Sequence, residues 1–217
     1  MDFSLSEEQR ALQESARRFA EVELTGVAKI IEKNDEPVGP EIVQRFAEMG
    51  FLGINLPEAY GGAGAKHLDA VLVLEELAKI SIAVAFPVFE SCFGPSLAIA
   101  HFAPEELRLR VLPNVCSGNM MIAVSMSEPN AGSALTDLTT AARIEGDTVI
   151  VNGQKRWCSG AGHADAYVVY CRMSDEPGAR GIGAVLVEKD RTGFTFGKPE
   201  QHMGFRGIPS ADMFFDN

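Results

Sequence analysis

Basic side chains, tyrosine and tryptophan are scarce in this sequence. Its 217 residues contain 19 lysines and arginines against 30 aspartates and glutamates, for a formal net charge of −11, and there are three tyrosines and a single tryptophan. An acidic chain without a basic stripe argues against nucleic acid as the main partner, because the phosphate backbone is bound through clustered lysines and arginines. Any phosphate that this chain binds must be held mainly by backbone N–H groups and hydroxyls, or by another subunit.

Cysteine is also infrequent. Cys92, Cys116, Cys158 and Cys171 form no C-x-x-C pair and stand at no zinc-finger spacing from a histidine, so neither a metal site nor a secreted disulfide scaffold is indicated. No apolar run looks long enough to span a bilayer, and the acidic start MDFSLSEEQR is not typical of a signal peptide. We therefore expect a cytoplasmic protein, or one of an organelle matrix, with no transmembrane segment and no metal.

The spacing of apolar residues changes near Asn119. Before this point they recur at helical spacing, with Ser6 and Gln9 as a capping box at the first helix and Pro40 opening the next. Further helices are predicted over LDAVLVLEELAKI, over roughly residues 86–102, and over PEELRLRVL. Residues 1–118 are therefore predicted to form an all-α helical bundle domain.

After Asn119, short apolar runs separated by Gly, Pro, Asp and Ser predict strands. The candidates are MMIAVSM, AYVVYCRM, IGAVLVEK, GFTFGK and ADMFFDN, while TVIVNGQKRW predicts a hairpin that turns at Asn152-Gly153. Strands without intervening helices favour an antiparallel sheet or barrel. The predicted fold class is α+β, with a β-domain over residues 119–217. Because a strand stands at the very end, we expect the natural chain to continue beyond it.

Two stretches carry the side chains best suited to a ligand. IAVSMSEPNAGS combines small residues, which permit close backbone approach, with hydroxyls, although a polar turn between strands is the simpler explanation. Trp157 ends a strand, and its flat apolar ring suits either a core or a wall against which another ring can lie. Ser159 stands two residues later, on the same strand face, where it could bind the edge of such a ring. These residues alone leave both interpretations of Trp157 open.

Four motifs together resemble the acyl-CoA dehydrogenase flavoprotein family. FLGINLPEAYGG, which by itself is a helix end followed by a glycine loop and matches no phosphate-loop pattern, resembles the helical-domain signature of that family. SEPNAGS is similar to its Thr-Glu-Pro-x-Ala-Gly-Ser-Asp, NGQKRWCSG to its Asn-Gly-x-Lys-x-Trp-Ile-Thr-Asn-Gly, and MGFRG to its Met-Gly-x-Arg. The resemblance covers essentially the whole chain. It departs at Ser127 for Thr, at Cys158-Ser159 for Ile-Thr, and at Ala134, where the family usually has Asp.

The resemblance implies FAD as cofactor and dehydrogenation of an acyl-CoA thioester between its α- and β-carbons, in fatty acid metabolism. By position it assigns cofactor binding to Val124, Ser125, Met126, Ser127, Trp157, Cys158 and Ser159, with Trp157 covering one face of the flavin, and substrate binding to Ser133. The catalytic base of the family is a glutamate of a C-terminal helical domain that these residues do not include, so no catalytic residue is assigned. An electron-transfer-flavoprotein-type acceptor and a homo-oligomer, a tetramer or dimer, are also implied.

Alternatives stay open within and beyond the resemblance. Flavin oxidases, monooxygenases and enoyl-CoA reductases share the fold, and a non-catalytic scaffold subunit would keep it without the chemistry. Apolar residues of the helical half are candidates for an acyl pocket, although core packing explains them equally; they are Ala83, Val84, Phe86, Phe89 and Phe93. Glu58 and Glu128 are expected to be structural or solvated, and Arg206 is expected to pair with an acidic surface residue.

Overall fold

The computed structural model describes residues 4–217, which divide into two compact units. The first unit comprises the described residues up to Met121 together with His202–Ile208. The second comprises Ile122–Gln201 and Pro209–Asn217. The MGFRG stretch therefore packs with the helices, although it lies far along the chain among the strands.

The first unit is helical. Its α-helices within the described residues are α1 (Glu7–Phe19), α2 (Thr25–Asn34), α3 (Pro40–Glu48), α4 (His67–Ile80), α5 (Ile82–Cys92), α6 (Gly94–Phe102) and α7 (Glu105–Cys116). A π-helical turn, Ala20–Leu24, joins α1 to α2. The predicted capping box is confirmed, because the Gln9 N–H donates to Ser6 Oγ (3.2 Å) and the Ser6 N–H donates to Gln9 Oε1 (3.1 Å).

The helix predicted over residues 86–102 is a pair of helices. Phe93 is extended (φ −129°, ψ −160°) and Gly94 has φ 45°, so the chain turns between α5 and α6. The stretch Ile82–Phe102 is long and apolar enough to cross a membrane, so the expectation that no run has that length is wrong. However, 56% of its most apolar window is buried inside the structure. Its buried side chains pack in the core of the helical unit, where Val84 and Val88 are fully buried.

A buried carboxylate joins α1 to α4 in this unit. Glu76 is 2% exposed and accepts hydrogen bonds from Arg17 Nη2 (3.2 Å) and Lys79 Nζ (2.8 Å). The hydrogen bond from Arg17 lowers the pKa of Glu76 in spite of its burial. The charge is thereby compensated at the place where it leaves water, as a buried ion requires.

The second unit is built on one sheet. Its strands are β1 (Ile122–Ser125), β2 (Ala141–Glu145), β3 (Thr148–Ser159), β4 (Ala166–Arg172), β5 (Ile182–Glu188), β6 (Phe194–Phe196) and β7 (Ser210–Asp216). The order is β1-β4-β2-β3-β7-β6, with β5 also paired to β4. The α+β class is confirmed. The sheet is mixed rather than wholly antiparallel, because β1 lies parallel to β4 after a long connection that contains the β2–β3 hairpin.

The predicted hairpin turn at Asn152-Gly153 is wrong. Both residues lie inside β3, where they pair with β2 or β7. The chain instead turns at Gly146-Asp147, between the last residue of β2 and the first of β3, and Gly146 has φ 62°. A two-residue turn needs such left-handed backbone, and Gly146 supplies it at no steric cost.

Gly153 has a different reason to be glycine. Its φ is 146°, and a Cβ at this position would lie 2.5 Å from Thr140 Oγ1 and 2.7 Å from Thr140 Cα. The missing side chain therefore permits close approach of two backbone segments, which is the common meaning of a glycine inside a strand.

Candidate functional site

The end of β1 and the end of β3 lie side by side in the second unit. Three hydrogen bonds run from β3 to the β1 end: from Cys158 Sγ to the carbonyl of Val124 (3.3 Å), from Lys155 Nζ to that of Met126 (2.9 Å), and from the Arg156 N–H to that of Ser127 (2.8 Å). Two stretches that are separated by about thirty residues in the sequence thus form one continuous surface. We call this surface, at the ends of β1 and β3, the β1–β3 seam.

Trp157 lies in a β-bulge on this surface. The register of β3 against β7 shifts between Lys155 and Cys158, so that Arg156 and Trp157 together face Asp212. Trp157 has φ 55°, a left-handed conformation that is unusual for a bulky residue. A bulge of this kind bends the strand and re-aims a side chain.

The bulge turns the indole ring outward. Trp157 is 58% exposed, whereas the neighbouring Cys158 is 3% exposed. A core role for the single tryptophan is therefore excluded. Strained backbone persists only where the surroundings hold it, and it is concentrated at sites that bind or react. The ring is available as a flat apolar wall.

The serine hydroxyls differ in their placement. Ser125 is buried, and its Oγ donates to Met213 Sδ at 3.6 Å. Ser127 and Ser159 are half-buried, and their hydroxyls make no hydrogen bond within residues 4–217. Ser133 lies in an exposed loop. Ser127 thus stands at the end of β1 and Ser159 at the end of β3, while no hydrogen bond among the described residues ties Ser133 to them.

Glu128 fixes the loop that follows the β1 end. Its side chain is 4% exposed; Oε2 accepts from the Thr139 N–H (2.7 Å) and hydroxyl (2.9 Å), and Oε1 accepts from the Thr140 N–H (2.9 Å) and from Lys155 Nζ (2.9 Å). Burial alone would raise the pKa of Glu128, but the hydrogen bonds from Thr140, Thr139 and Lys155 outweigh it and lower the pKa to about 2. A carboxylate so fully occupied has a structural role, as expected.

Two other expectations concern the first unit. Arg206 Nε donates to the carbonyl of Glu32 (2.8 Å), and Arg206 Nη1 lies 3.8 Å from the carboxylate of Asp35, so its pairing with acidic surface residues is confirmed. Glu58 is exposed, which agrees with a solvated role. Of the candidate acyl-pocket residues, Ala83, Val84 and Phe86 are buried in the helical core and Phe93 packs against it, whereas Phe89 is 45% exposed.

Sequence reasoning missed one residue of the seam. The guanidinium carbon of Arg156 lies 4.9 Å from the centroid of the Trp157 ring, within the range of a cation–π contact. Successive residues of a regular strand point to opposite faces, so no pattern predicts this contact. It follows from the bulge. Within residues 4–217, no group of three or more His, Cys, Asp or Glu side chains could hold a metal ion.

Comparison with known proteins identifies the family. Residues 6–119 match the model of the acyl-CoA dehydrogenase N-terminal domain, and residues 123–217 match that of the acyl-CoA dehydrogenase middle domain. The chain therefore belongs to the acyl-CoA dehydrogenase family.

The relatives include a dehydrogenase and a reductase. The chain is 33% identical over 214 residues to an acyl-CoA dehydrogenase of Bacillus subtilis (strain 168), covering 98% of this chain and 56% of that protein. It is 36% identical over 220 residues to acryloyl-CoA reductase (NADH) of Anaerotignum propionicum, covering 100% of this chain and 55% of that protein.

Among solved structures, a glutaryl-CoA dehydrogenase of Mycobacterium smegmatis in complex with FADH2 matches with a TM-score of 0.90 and 25% identity, over 98% of this chain and 53% of that one. The chain spans about half the length of the relatives that it matches.

Proposed function

We propose that this protein binds FAD and dehydrogenates an acyl-CoA thioester between its α- and β-carbons. The observation that supports the proposal most directly is the outward-facing ring of Trp157, held in a strained bulge beside the end of β1. The family consists of flavoproteins, and the exposed indole stands at the position that the family motif assigns to the flavin wall. Both points support a bound flavin. The chemistry that the cofactor supplies when bound is acceptance of a hydride equivalent from the β-carbon of the substrate.

The residues of the seam fit a flavin. An extended aromatic cofactor needs a flat apolar surface, which the indole of Trp157 provides. It also needs hydrogen-bonding groups at its edge, and the hydroxyls of Ser127 and Ser159 are both available for this purpose. We propose that Val124, Ser125 and Met126 contribute backbone to the same site and that the buried Cys158 supports it from beneath.

Substrate and partners belong to the same proposal. We assign acyl-CoA binding to Ser133, whose exposed loop carries the open Gly132 beside it. We further propose an electron-transfer-flavoprotein-type acceptor, a homo-oligomer, and a location in the cytoplasm or an organelle matrix. The base that removes the α-proton is not assigned to any residue of this chain.

The reverse reaction is the second candidate. It is favoured by the 36% identity to a protein named acryloyl-CoA reductase (NADH), the higher of the two identities above. Reduction of an enoyl-CoA would use the same wall and the same cofactor, with electrons entering from a donor rather than leaving to an acceptor.

The test is the visible absorption spectrum of the full-length protein under anaerobic conditions. We expect a flavin spectrum that bleaches when saturated acyl-CoAs of several chain lengths are added. A spectrum that bleaches only with a reduced donor and returns when an enoyl-CoA is added would establish the reductase. A protein that purifies colourless and takes up no added FAD would overturn the proposal and favour a scaffold subunit.

A further inference from the structure

Arg156 fixes the bulge through its backbone and contacts the Trp157 ring through its side chain. Its N–H donates to the carbonyl of Ser127 (2.8 Å), which anchors the bulge, and its guanidinium lies over the indole. In the family pattern Asn-Gly-x-Lys-x-Trp this position is unspecified, so the pattern itself does not call for a positive charge here. The arginine is a feature of this sequence.

Asp212 holds the guanidinium from the opposite strand. Its Oδ2 accepts from Gln154 Nε2 (3.1 Å), and its Oδ1 lies 3.8 Å from Arg156 Nε. Both of these facing atoms, Oδ1 and Nε, are buried and have no hydrogen-bond partner within the described residues. A buried charged atom without another partner is stabilised most by the opposite charge nearest to it. The carboxylate therefore attracts the guanidinium where it lies over the ring.

The strained backbone of Trp157 requires contacts that keep its side chain in place. A bulky side chain with φ 55° can regain a relaxed strand conformation if nothing opposes it. The guanidinium lies on one side of the indole, and its planar shape suits stacking better than an ammonium does. The face of the ring that Arg156 covers is closed to a ligand, and the other face is left for one.

We propose that Arg156 is a positioning residue that, together with Asp212, holds the indole of Trp157 in its outward orientation and sets a permanent positive charge at the wall. The second half of this proposal rests on the proposed function, because a fixed positive charge there favours the reduced, more negative form of a bound flavin. The first half concerns the protein alone. Arginine stays protonated at any working pH, so the charge is constant.

The single tryptophan makes the first half directly measurable. Trp157 is the only tryptophan in the sequence, so tryptophan emission of the chain reports its environment. We would compare Arg156→Met, Arg156→Lys and Asp212→Asn with the unchanged full-length protein, stripped of cofactor, if necessary after replacing any tryptophan outside this sequence. Acrylamide quenching should fall in Arg156→Met, because an indole that is no longer held outward loses exposure. Asp212→Asn should change it in the same direction, and Arg156→Lys should lie between.

The matched control is Arg143→Met, which removes the charge of an exposed arginine on β2 of the same sheet. Its quenching should equal that of the unchanged protein. If Arg156→Met leaves quenching unchanged or increases it, the positioning role is overturned. Should Arg156→Met fail to fold, Asp212→Asn and Arg156→Lys decide the same question, because unchanged quenching in both would overturn it as well.

The reduction potential of added FAD tests the second half. Arg156→Met should lower the potential, and Arg156→Lys should restore part of it; equal potentials in all variants would overturn the electrostatic role. If the unchanged protein binds no FAD, the proposed function and this electrostatic role fail together, while the quenching result still decides the positioning role. The two failures are therefore distinguishable.

Discussion

Lys155 Nζ lies 2.9 Å from Glu128 Oε1, and the two side chains are among the most buried charged groups of the sheet unit, with 0% and 4% of their surface exposed. The same ammonium group donates to the carbonyl of Met126 at the end of β1. The pair therefore joins β3, the β1 end and the loop after it. Lys155 stands two residues before Trp157, so the junction lies next to the wall in the chain.

Replacing Lys155 with Met should destabilise the protein strongly. The carboxylate of Glu128 would remain buried without its counter-charge, which costs about 3–5 kcal/mol. Urea unfolding followed by circular dichroism measures the change. Lys198→Met, at an exposed position, is the matched control and should stay within about 0.5 kcal/mol of the unchanged protein. Equal midpoints for the two variants would contradict a supporting role for the pair.

Glu128 should also affect how the free energy of unfolding falls at acid pH. Its pKa is lowered from 4.5 to about 2 in the folded protein, so the folded state binds fewer protons than the unfolded state between these values. The contribution is complete above pH 4.5 and is lost as the pH falls towards 2, by at most roughly 3 kcal/mol. Unfolding free energies measured across this range should fall less steeply in Glu128→Gln than in Glu145→Gln, which changes an exposed carboxylate. Parallel curves would show that Glu128 is not linked to acid unfolding.

Glu90 should have the opposite effect to Glu128 on the pH dependence of stability. It is 4% exposed, its Oε2 has no hydrogen-bond partner among the described residues, and burial raises its pKa from 4.5 to about 8. Between these values the folded state binds more protons than the unfolded state, so stability falls as the pH rises, by at most roughly 5 kcal/mol. Glu90→Gln should therefore have the higher Tm at pH 9, with little difference near pH 4. The exposed Glu75→Gln serves for comparison, and a Glu90→Gln protein that melts lower at pH 9 would refute the assignment.

Gly153→Ala and Gly146→Ala should differ in stability, because the two positions need glycine for different reasons. Both positions have positive φ, which costs an alanine about 1–2 kcal/mol. Only at Gly153 would the new methyl group meet Thr140, whereas nothing lies within 4 Å of a Cβ at Gly146. We expect Gly153→Ala to be the less stable variant by roughly 1–3 kcal/mol, measured as urea midpoints. The reverse order would contradict the close approach of Thr140 to Gly153.

Trp157→Ala should weaken FAD binding without unfolding the protein. The ring is 58% exposed, so its removal opens no cavity in the core, whereas stacking of aromatic rings contributes about 0.5–1.5 kcal/mol. Titration of the apoprotein with FAD should show an affinity lower by roughly two- to ten-fold. Trp157→Phe retains an aromatic face and should bind more tightly than Trp157→Ala. Equal affinities of the unchanged protein and Trp157→Ala would remove the wall from the cofactor site.

Features that depend on a few neighbouring residues were predictable from the sequence. The capping box of Ser6 and Gln9, the helix that starts at Pro40 and most of the strands follow from spacing, caps and turn residues within one or two turns of chain. The family followed from four short motifs in order. Local chemistry also misled at two points: Asn152-Gly153 has the composition of a turn, and residues 86–102 have the apolarity of one helix.

Contacts between distant residues decided the rest. Pairing with β2 and β7 and the approach of Thr140 keep Asn152-Gly153 inside a strand, and the parallel partnership of β1 with β4 joins segments more than forty residues apart. The exposure of Trp157 depends on a bulge against Asp212, and the low pKa of Glu128 depends on hydrogen bonds from Thr140, Thr139 and Lys155. By itself, the sequence determined which elements form and to which family the chain belongs. Only the tertiary structure decided which side chains meet, because burial, register and compensated charge are properties of the packed sheet rather than of any short stretch of chain.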